Sequence, residues 1–271
     1  MTPLKTRRKD LLRWKTGAEP VHEPDDLAVE EPLEIQIETR SVSVTMRTPG
    51  DDEELAAGFL LSEGLISGAD QIARIARHPR DESKNIISVF LQPEVRIDFQ
   101  KLTRHVFASS SCGICGAASI EAIHKMFAPV TSDVVIRAAD LLGLPERLRA
   151  SQQTFDRTGG LHAAGIFDLN GSAVVVREDV GRHNAVDKVL GFGLLHGRLP
   201  FEREILVVSG RASFEIMQKA LAGRIPVVVA VSAPSSLAVE FAEKSGQTLA
   251  GFVRSNRLNV YSHSQRVQFG G

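Results

Sequence analysis

Cysteine is scarce in this 271-residue chain, which contains only Cys112 and Cys115. Two cysteines cannot build a disulfide framework, and a chain of this length needs none in order to fold. Any role of sulfur in this protein must therefore be local chemistry at one place in the sequence.

The sequence also lacks a long apolar run and an excess of charge of either sign. No stretch approaches the roughly 18 apolar residues that span a bilayer, and the basic amino terminus lacks the apolar segment of a secretory signal. The 32 Lys and Arg residues are balanced by 33 Asp and Glu residues, so the whole molecule has no attraction to nucleic acid. We therefore predict a cytoplasmic protein with neither a membrane span nor a nucleic-acid partner.

The first 30 residues combine a basic start with an acidic continuation. Neighbouring opposite charges of this kind are typical of a solvated, mobile segment, with a binding arm as the alternative. The sequence beyond this segment falls into two patterned regions. We predict a flexible charged tail at 1–30, a small α+β domain at 31–104 and an α/β domain at 105–271.

The small domain is predicted from alternating and helical patterns. Alternation of apolar and polar residues over 33–37 and 42–46 predicts two strands. The acidic run at 52–54 opens a predicted helix that stops at Gly64, and an apolar run at 86–91 predicts a third strand.

The remaining residues alternate between strand and helix patterns. Residues 106–116 are rich in Ala, Ser, Cys and Gly and predict a mobile loop. Helices are predicted at 119–127, 134–144, 184–195, 214–221 and 236–244, and strands at 161–169, 173–177, 205–208, 227–231 and 248–250. Strands joined through helices predict a partly parallel sheet covered on both faces.

Cys112 and Cys115 are separated by two residues, so their thiols can close a small ring, share a metal or pass a sulfur atom. A structural zinc needs four ligands, and without a second Cys-x-x-Cys pair it would have to recruit His105, His124 or His162. A redox dithiol is expected at a helix start, and core cysteines fit poorly between Gly and Ser. A persulfide carrier fits better, because it must reach two partners and benefits from a loop.

Three segments have the composition of a ligand site. The polar run at 177–188 lies between a predicted strand and a predicted helix, as ligand sites do in open α/β sheets, although a capped and solvated helix is the alternative. The glycines of 158–162 allow a ligand close to the backbone, or form an ordinary turn. Residues 252–257 offer two guanidinium groups and an aromatic ring, suited to phosphate and to a base or pterin, unless they form a solvated hairpin.

Two predicted strands are followed directly by a serine, Ser209 and Ser232, and a predicted helix begins shortly after each. Free N–H groups at such turns can hold phosphate, although helix capping alone explains serine there. The candidate ligand-binding residues are therefore Asp179, His183, Ser209, Gly210, Arg211, Ser232, Phe252, Val253, Arg254, Ser255, Asn256 and Arg257.

Five motifs in order resemble the FdhD family, the formate dehydrogenase accessory sulfurtransferases, from about residue 33 to the carboxyl end. They are ELAAGFLLSEG at 54–64, SCGICG at 111–116, TGGLH at 158–162, EDVGRHNAVDK at 178–188 and SGR at 209–211. The resemblance implies a cytidine-deaminase-like three-layer fold for the carboxyl-terminal domain and a homodimer.

The resemblance also implies an activity. Sulfur would pass from a cysteine desulfurase to a molybdenum or tungsten bis-guanine-dinucleotide cofactor, a bound client, before its insertion into apo formate dehydrogenase. By position, Cys112 matches the persulfide cysteine of the family and residues 252–257 match its cofactor-contacting segment. We expect Cys115 to assist as a second acceptor or by releasing sulfur, and we expect no permanently bound metal.

A zinc-dependent deaminase and a dithiol oxidoreductase are the alternative functions. Deaminase chemistry needs a His-x-Glu or Cys-x-Glu element followed by Pro-Cys-x-x-Cys. Neither element occurs in the sequence, and Ser111 rather than proline precedes Cys112. The sequence therefore lacks the residues that deaminase chemistry requires, even though the implied fold would suit a deaminase.

Overall fold

The computed structural model describes residues 4–78, 81–97, 99, 121 and 123–270. The predicted loop at 106–116, with Cys112 and Cys115, lies outside the described residues. So do the predicted domain boundary at 104 and 105 and part of the predicted helix at 119–127. These three expectations stay predictions.

The amino-terminal segment forms a β-hairpin of β1 (Thr6–Arg13) and β2 (Val21–Ala28). This corrects the flexible tail predicted for residues 1–30. The opposite charges that suggested a solvated tail instead face one another across the two strands, where Arg13 forms an ion pair with Glu23. The base of the hairpin is fastened by the Lys5–Asp51 pair at 3.2 Å and the Arg157–Asp26 pair at 2.9 Å.

A four-stranded sheet follows, with strand order β4-β3-β6-β5. Its elements are β3 (Glu31–Ile37), β4 (Arg40–Arg47), α1 (Asp52–Ser62), β5 (Ile72–Arg77) and β6 (Ile86–Leu91). The predicted strands and the predicted helix are confirmed, and β5 is an addition. Alternation places Leu33, Ile35 and Ile37 in the core, as expected for a half-buried sheet.

A six-stranded mixed sheet, of order β13-β12-β11-β10-β8-β9, dominates the rest of the chain. Its strands are β8 (His162–Phe167), β9 (Ala173–Asp179), β10 (Ile205–Val208), β11 (Val227–Ala230), β12 (Thr248–Arg254) and β13 (Arg257–Ser262). The central strands β10, β11 and β12 are parallel, whereas β8, β9 and β13 pair antiparallel with their neighbours. The predicted, partly parallel sheet is confirmed.

Successive side chains of this sheet enter two different cores. Leu206, Val208 and Val228 belong to one buried cluster, and Ile205 and Val207 to the other. The first core is shared with α5 (Arg182–Leu195), α6 (Phe214–Ala222) and α7 (Ser236–Lys244). The sheet is thus covered on both faces in a mixed α/β fold, while the cytidine-deaminase-like classification stays a prediction.

The second core is completed by short elements that differ from the single helix predicted at 134–144. The chain instead forms β7 (Ile136–Arg137), α2 (Ala138–Leu142), α3 (Leu144–Ala150) and α4 (Gln153–Thr158). Strand β7 pairs in parallel with β14 (Val267–Gln268), because hydrogen bonding to this distant strand overrides the local helical pattern.

Helices α1 and α5 pack closely through two glycines. A Cβ atom on Gly58 would lie 1.8 Å from the backbone oxygen of Asp187, and one on Gly191 would lie 1.8 Å from that of Glu54. Leu55 of α1 and Leu190 of α5 belong to the same buried cluster. The four-stranded sheet and the six-stranded sheet are therefore held together by one continuous core. Within the described part of the chain, none of the helices has both the length and the apolarity to cross a membrane.

Candidate ligand-binding site

The carboxyl ends of the parallel strands β10, β11 and β12 meet at one edge of the large sheet. Ser209 donates its backbone N–H to Ala163 O at 3.0 Å, and Ser232 donates its N–H to Gly210 O at 3.3 Å. Phe252 in turn donates its N–H to Ser232 O at 3.2 Å. The strand ends chosen from sequence are therefore direct neighbours, as expected where parallel strands end together.

A cleft of about 900 Å³ opens at this edge between the strand ends and the helices α3 and α4. Its size suits a small-molecule or cofactor site. Ser209 and Arg254 of the predicted residues line it, and so do His162 and the glycines of the 158–162 motif. The polar and aromatic lining residues are Glu146, Arg149, Gln152, Phe155, Asp156, His162, Ser209 and Arg254.

Phe252 adopts an unusual backbone conformation beside this cleft. Its φ is +52°, which is an outlier for a bulky residue, and β12 is irregular between Gly251 and Arg254. The Phe252 side chain is 39% exposed. Strain of this kind is concentrated at functional sites, and here it presents an aromatic ring to solvent.

The rest of the 252–257 segment divides by burial. Val253 lies in the second core, so its side chain is not available to a ligand. The guanidinium of Arg254 donates to the carbonyl oxygens of Val231 and Val253, which hold it at the cleft. Three further residues of the segment are exposed at the turn between β12 and β13: Ser255, Asn256 and Arg257.

Asp179 does not fit the predicted ligand contact. Its side chain has no exposed surface, and Lys188 Nζ lies 2.7 Å from its Oδ2. Asp179 Oδ2 also accepts from Thr48 N at 3.2 Å, while Oδ1 accepts from Gly181 N at 2.8 Å and Asn184 Nδ2 at 2.9 Å. All four contacts are made within the protein, so Asp179 holds the turn between β9 and α5.

Its neighbour Glu178 is also structural. The carboxylate accepts the backbone N–H groups of Thr154 at 2.9 Å and Phe155 at 2.7 Å. These groups belong to the first turn of α4, where N–H groups have no partner inside the helix. The polar run at 177–188 therefore holds in place the helix that forms a wall of the cleft. It contributes less to the lining of the cleft itself.

His183 lies at the start of α5 with its Nε2 3.3 Å from the hydroxyl of Ser213. Burial, then the positive charges of Arg182 and Lys219, lowers the pKa of His183 to about 4. The imidazole is therefore neutral at physiological pH. Gly210 follows β10 and lies close to the side chains of His162 and Arg182, and the neighbouring side chain of Arg211 is exposed.

Sequence reasoning missed the cleft wall formed by α3 and α4. The guanidinium of Arg149 lies 4.6 Å from the centre of the Phe155 ring and forms an ion pair with Asp156. No motif marks these residues, since α4 was not predicted at all. Their contribution follows only from the packing of α3 and α4 against the sheet.

The described residues contain no cluster of three or more His, Cys, Asp or Glu side chains suited to a metal ion. Cys112, Cys115 and His105 lie outside those residues. His124 stacks on Phe241 and contacts Ser245 Oγ at 2.9 Å, whereas His162 lines the cleft. The two histidines therefore lie in different places, and neither belongs to a metal-binding cluster among the described residues.

The comparisons with known proteins agree over nearly the whole chain. A family model described as the FdhD/NarQ family matches residues 28–268. A similar protein named sulfur carrier protein FdhD from Streptomyces avermitilis is 48% identical over 270 residues, which cover 97% of this chain and 95% of the relative. A protein of the same name from Mycobacterium tuberculosis is 44% identical over 266 residues, covering 94% and 96%.

A solved structure is similar as well. The crystal structure of a formate dehydrogenase accessory protein from Desulfotalea psychrophila matches with a TM-score of 0.78 and 28% sequence identity. The match covers 98% of this chain and 100% of that protein.

Proposed function

The chain belongs to the FdhD/NarQ family, and from this premise we propose that it is a sulfur carrier that serves the maturation of formate dehydrogenase. The observation that carries the proposal is the family match over residues 28–268, which includes both cysteines. The relatives in Streptomyces and Mycobacterium are named sulfur carriers. Their shared name supports the same role here.

The first step is acceptance of sulfur at Cys112. The Cys112 thiolate attacks the terminal sulfur of a persulfide on a cysteine desulfurase. The S–S bond of the desulfurase breaks, a new S–S bond forms at Cys112, and the desulfurase departs as a thiolate. No net oxidation or reduction occurs, because a sulfane sulfur only changes its carrier.

The second step is release of this sulfur to the client. The Cys115 thiolate attacks Cys112 Sγ, which forms a Cys112–Cys115 disulfide and frees hydrosulfide for the client. An external dithiol reductant then restores both thiols. The sequence supports this step through the two-residue spacing, which lets the thiols reach one another.

The client is a molybdenum or tungsten cofactor carrying two guanine dinucleotides. Arg254 lines the cleft, and its guanidinium is suited to phosphate. The same segment adds an exposed guanidinium at Arg257 and an exposed ring at Phe252 for stacking. The hydroxyl groups of Ser209 and Ser232 add neutral donors, whereas the backbone N–H groups of these two residues already donate to Ala163 O and Gly210 O. The cofactor would supply the metal centre that takes the sulfur, and the chain would bind and orient it.

The acting form in this proposal is a homodimer in the cytoplasm. Its partners are the cysteine desulfurase, which donates sulfur, and apo formate dehydrogenase, which receives the completed cofactor. The family resemblance supports these partners, and size-exclusion chromatography with light scattering tests the dimer.

Mass spectrometry tests the sulfur step. After incubation with an active cysteine desulfurase and cysteine, the peptide containing Cys112 should gain one sulfur atom that reducing agent removes. Cys112→Ser should gain none, while Cys115→Ser should still be labelled, because Cys115 is not the first acceptor. Because Cys115 can discharge the persulfide in the parent protein, an unlabelled Cys115→Ser variant beside a demonstrably active desulfurase would refute the carrier mechanism.

The alternatives give different results in the same series. A dithiol oxidoreductase would lose function equally with either cysteine substitution and would carry no added sulfur. A zinc-dependent deaminase would hold stoichiometric zinc that resists mild chelation, which elemental analysis of the purified protein detects.

A thermal-shift titration tests the client site. GDP should raise the melting temperature through binding to the folded state, and AMP should raise it less. Arg254→Ala combined with Arg257→Ala should weaken GDP binding. The matched control is Arg203→Ala, an exposed arginine paired with Asp133 outside the cleft lining. Equal GDP affinity in both folded variants would place the ligand elsewhere.

A further inference from the structure

Gly210 lies where the end of β10 meets the side chains of His162 and Arg182. A Cβ atom at Gly210 would lie 3.5 Å from His162 Nδ1 and 3.7 Å from Arg182 Cδ, which are ordinary contact distances. The φ of Gly210 is not positive. Neither crowding nor backbone conformation therefore requires glycine here, in contrast to Gly58, where a Cβ would meet backbone at 1.8 Å.

Arg182 carries a buried donor that the fold does not satisfy. Its Nε is shielded from solvent and has no hydrogen-bond partner among the described residues. An unsatisfied buried donor is costly, and more so when it is part of a charged group. The first turn of α5, which begins at Arg182, holds no acidic residue, and the carboxylate that interacts with Arg182 is Glu215 of α6, whose pKa is lowered, despite burial, in part by the charge of Arg182.

His162 faces the same place from the cleft side. It lines the cleft, and burial, followed by the charge of Arg182, lowers its pKa, while Asp179 partly opposes this. The nearby imidazole of His183 is also neutral at physiological pH. A neutral His162 can donate one N–H without adding charge.

We propose that His162, Gly210 and Arg182 form a seat for a phosphate group of the bound nucleotide client. The absent side chain at Gly210 lets a phosphate oxygen approach the backbone. The guanidinium of Arg182 supplies charge and directional donors, and the imidazole of His162 supplies a neutral donor. The seat rests on the proposed client site, and it adds His162 and Arg182, which lie in the predicted segments 158–162 and 177–188, to the individual candidate residues.

The sharpest test substitutes Gly210 by alanine. Gly210→Ala should leave the melting temperature of the free protein unchanged, because the added methyl makes only ordinary contacts. It should weaken GDP binding about tenfold or more by filling the seat, a loss of about 1.4 kcal/mol. Gly143→Ala is the matched control, since the nearest atom to its added Cβ among the described residues, chain neighbours aside, would be Arg147 Nε at 3.9 Å, and it should bind GDP as the parent does.

A second test follows GDP binding in the parent protein and uses a variant only to assign one resonance. The His162 resonance, assigned by its loss in His162→Gln, is titrated by NMR with and without GDP. A phosphate beside the ring should raise the pKa of His162, because a nearby anion favours the imidazolium. Inorganic pyrophosphate should act in the same direction and guanosine should have no effect.

The possible results distinguish an error in the proposed phosphate seat from an error in the proposed client site as a whole. If the parent fails to bind GDP by calorimetry, the proposed client site is wrong and the seat falls with it. If the parent binds GDP while Gly210→Ala binds equally well and the His162 titration does not move, the seat alone is wrong. Weakened binding in Arg182→Met, with the melting temperature of the free protein kept, supports the seat.

Discussion

Lys188 Nζ lies 2.7 Å from Asp179 Oδ2, and neither side chain has any exposed surface. Lys188 also donates to the backbone oxygen of Thr48 at 3.0 Å, and the Thr48 N–H donates to the same carboxylate. The pair thus ties the turn before α5 to the chain that leaves β4. It therefore joins the four-stranded sheet to the six-stranded sheet.

Loss of the lysine should strongly destabilise the fold. Lys188→Met leaves the Asp179 carboxylate buried without its counter-charge, which typically costs about 3–5 kcal/mol. The control is Lys244→Met, whose lysine is 49% exposed and pairs with Glu240 one helical turn away. That change should cost about 0.5 kcal/mol or less. Urea denaturation followed by circular dichroism measures both, and similar losses would contradict the structural role of the pair.

The close approach of α1 and α5 should tolerate no side chain at Gly191. Gly191→Ala places a methyl 1.8 Å from the backbone oxygen of Glu54, so the helices must separate. Overpacking of this kind costs about 1–3 kcal/mol or more. Gly143→Ala adds the same methyl at an uncrowded position and should change the free energy of unfolding far less. An equally stable Gly191→Ala would mean that the helices lie further apart.

Much of the fold could be predicted because the sheet strands have distinctive patterns. Strands β10 and β11 are buried throughout their length and read as short apolar runs, which is typical of parallel strands covered on both faces. Strand β5 was missed because Arg74 and Arg77 interrupt its pattern. Strand β7 was read as helix because its partner, β14, lies about 130 residues further along the chain.

The site was predictable where it depends on strand ends. Ser209 and Arg254 line the cleft because parallel strands bring their carboxyl ends together. Asp179 was misplaced because its partner Thr48 lies 131 residues away, and a charged residue in a polar motif gives no sign of such a partner. The predicted roles of Cys112 and Cys115 stay predictions.

The hairpin of β1 and β2 should be dispensable for folding. Its apolar side chains bury little, since Leu12, Trp14 and Val21 are 58%, 63% and 57% exposed. The anchoring ion pairs of Lys5 and Arg157 are partly exposed and each contribute about 1 kcal/mol or less. Removal of residues 1–27 should therefore cost about 2 kcal/mol or less and leave a folded protein.

The folding and stability of the shortened chain are measured by circular dichroism. Trp14 is the only tryptophan in the chain and is mostly exposed, so its fluorescence reports poorly on the core. Failure of the shortened chain to fold would show that the hairpin contributes more than its contacts suggest.

His183 should make stability depend on pH between about 4 and 6.5. Burial, then Arg182 and Lys219, lowers its folded-state pKa to about 4 from 6.5, while Glu215 partly opposes. Between these values the unfolded chain binds more protons, so the free energy of unfolding rises with pH. The contribution of His183 is fully present above pH 6.5 and is lost as the pH falls towards 4, by up to about 1.4 kcal/mol per pH unit.

Urea denaturation at pH 7 and pH 5 measures this difference, and His183→Gln should reduce it by about 2 kcal/mol. Carboxylates that do not interact with His183 contribute equally to both proteins and cancel in the comparison, whereas Glu215 is coupled to His183. An unchanged pH dependence in folded His183→Gln would show that His183 is protonated in the native state, contrary to its burial beside Arg182.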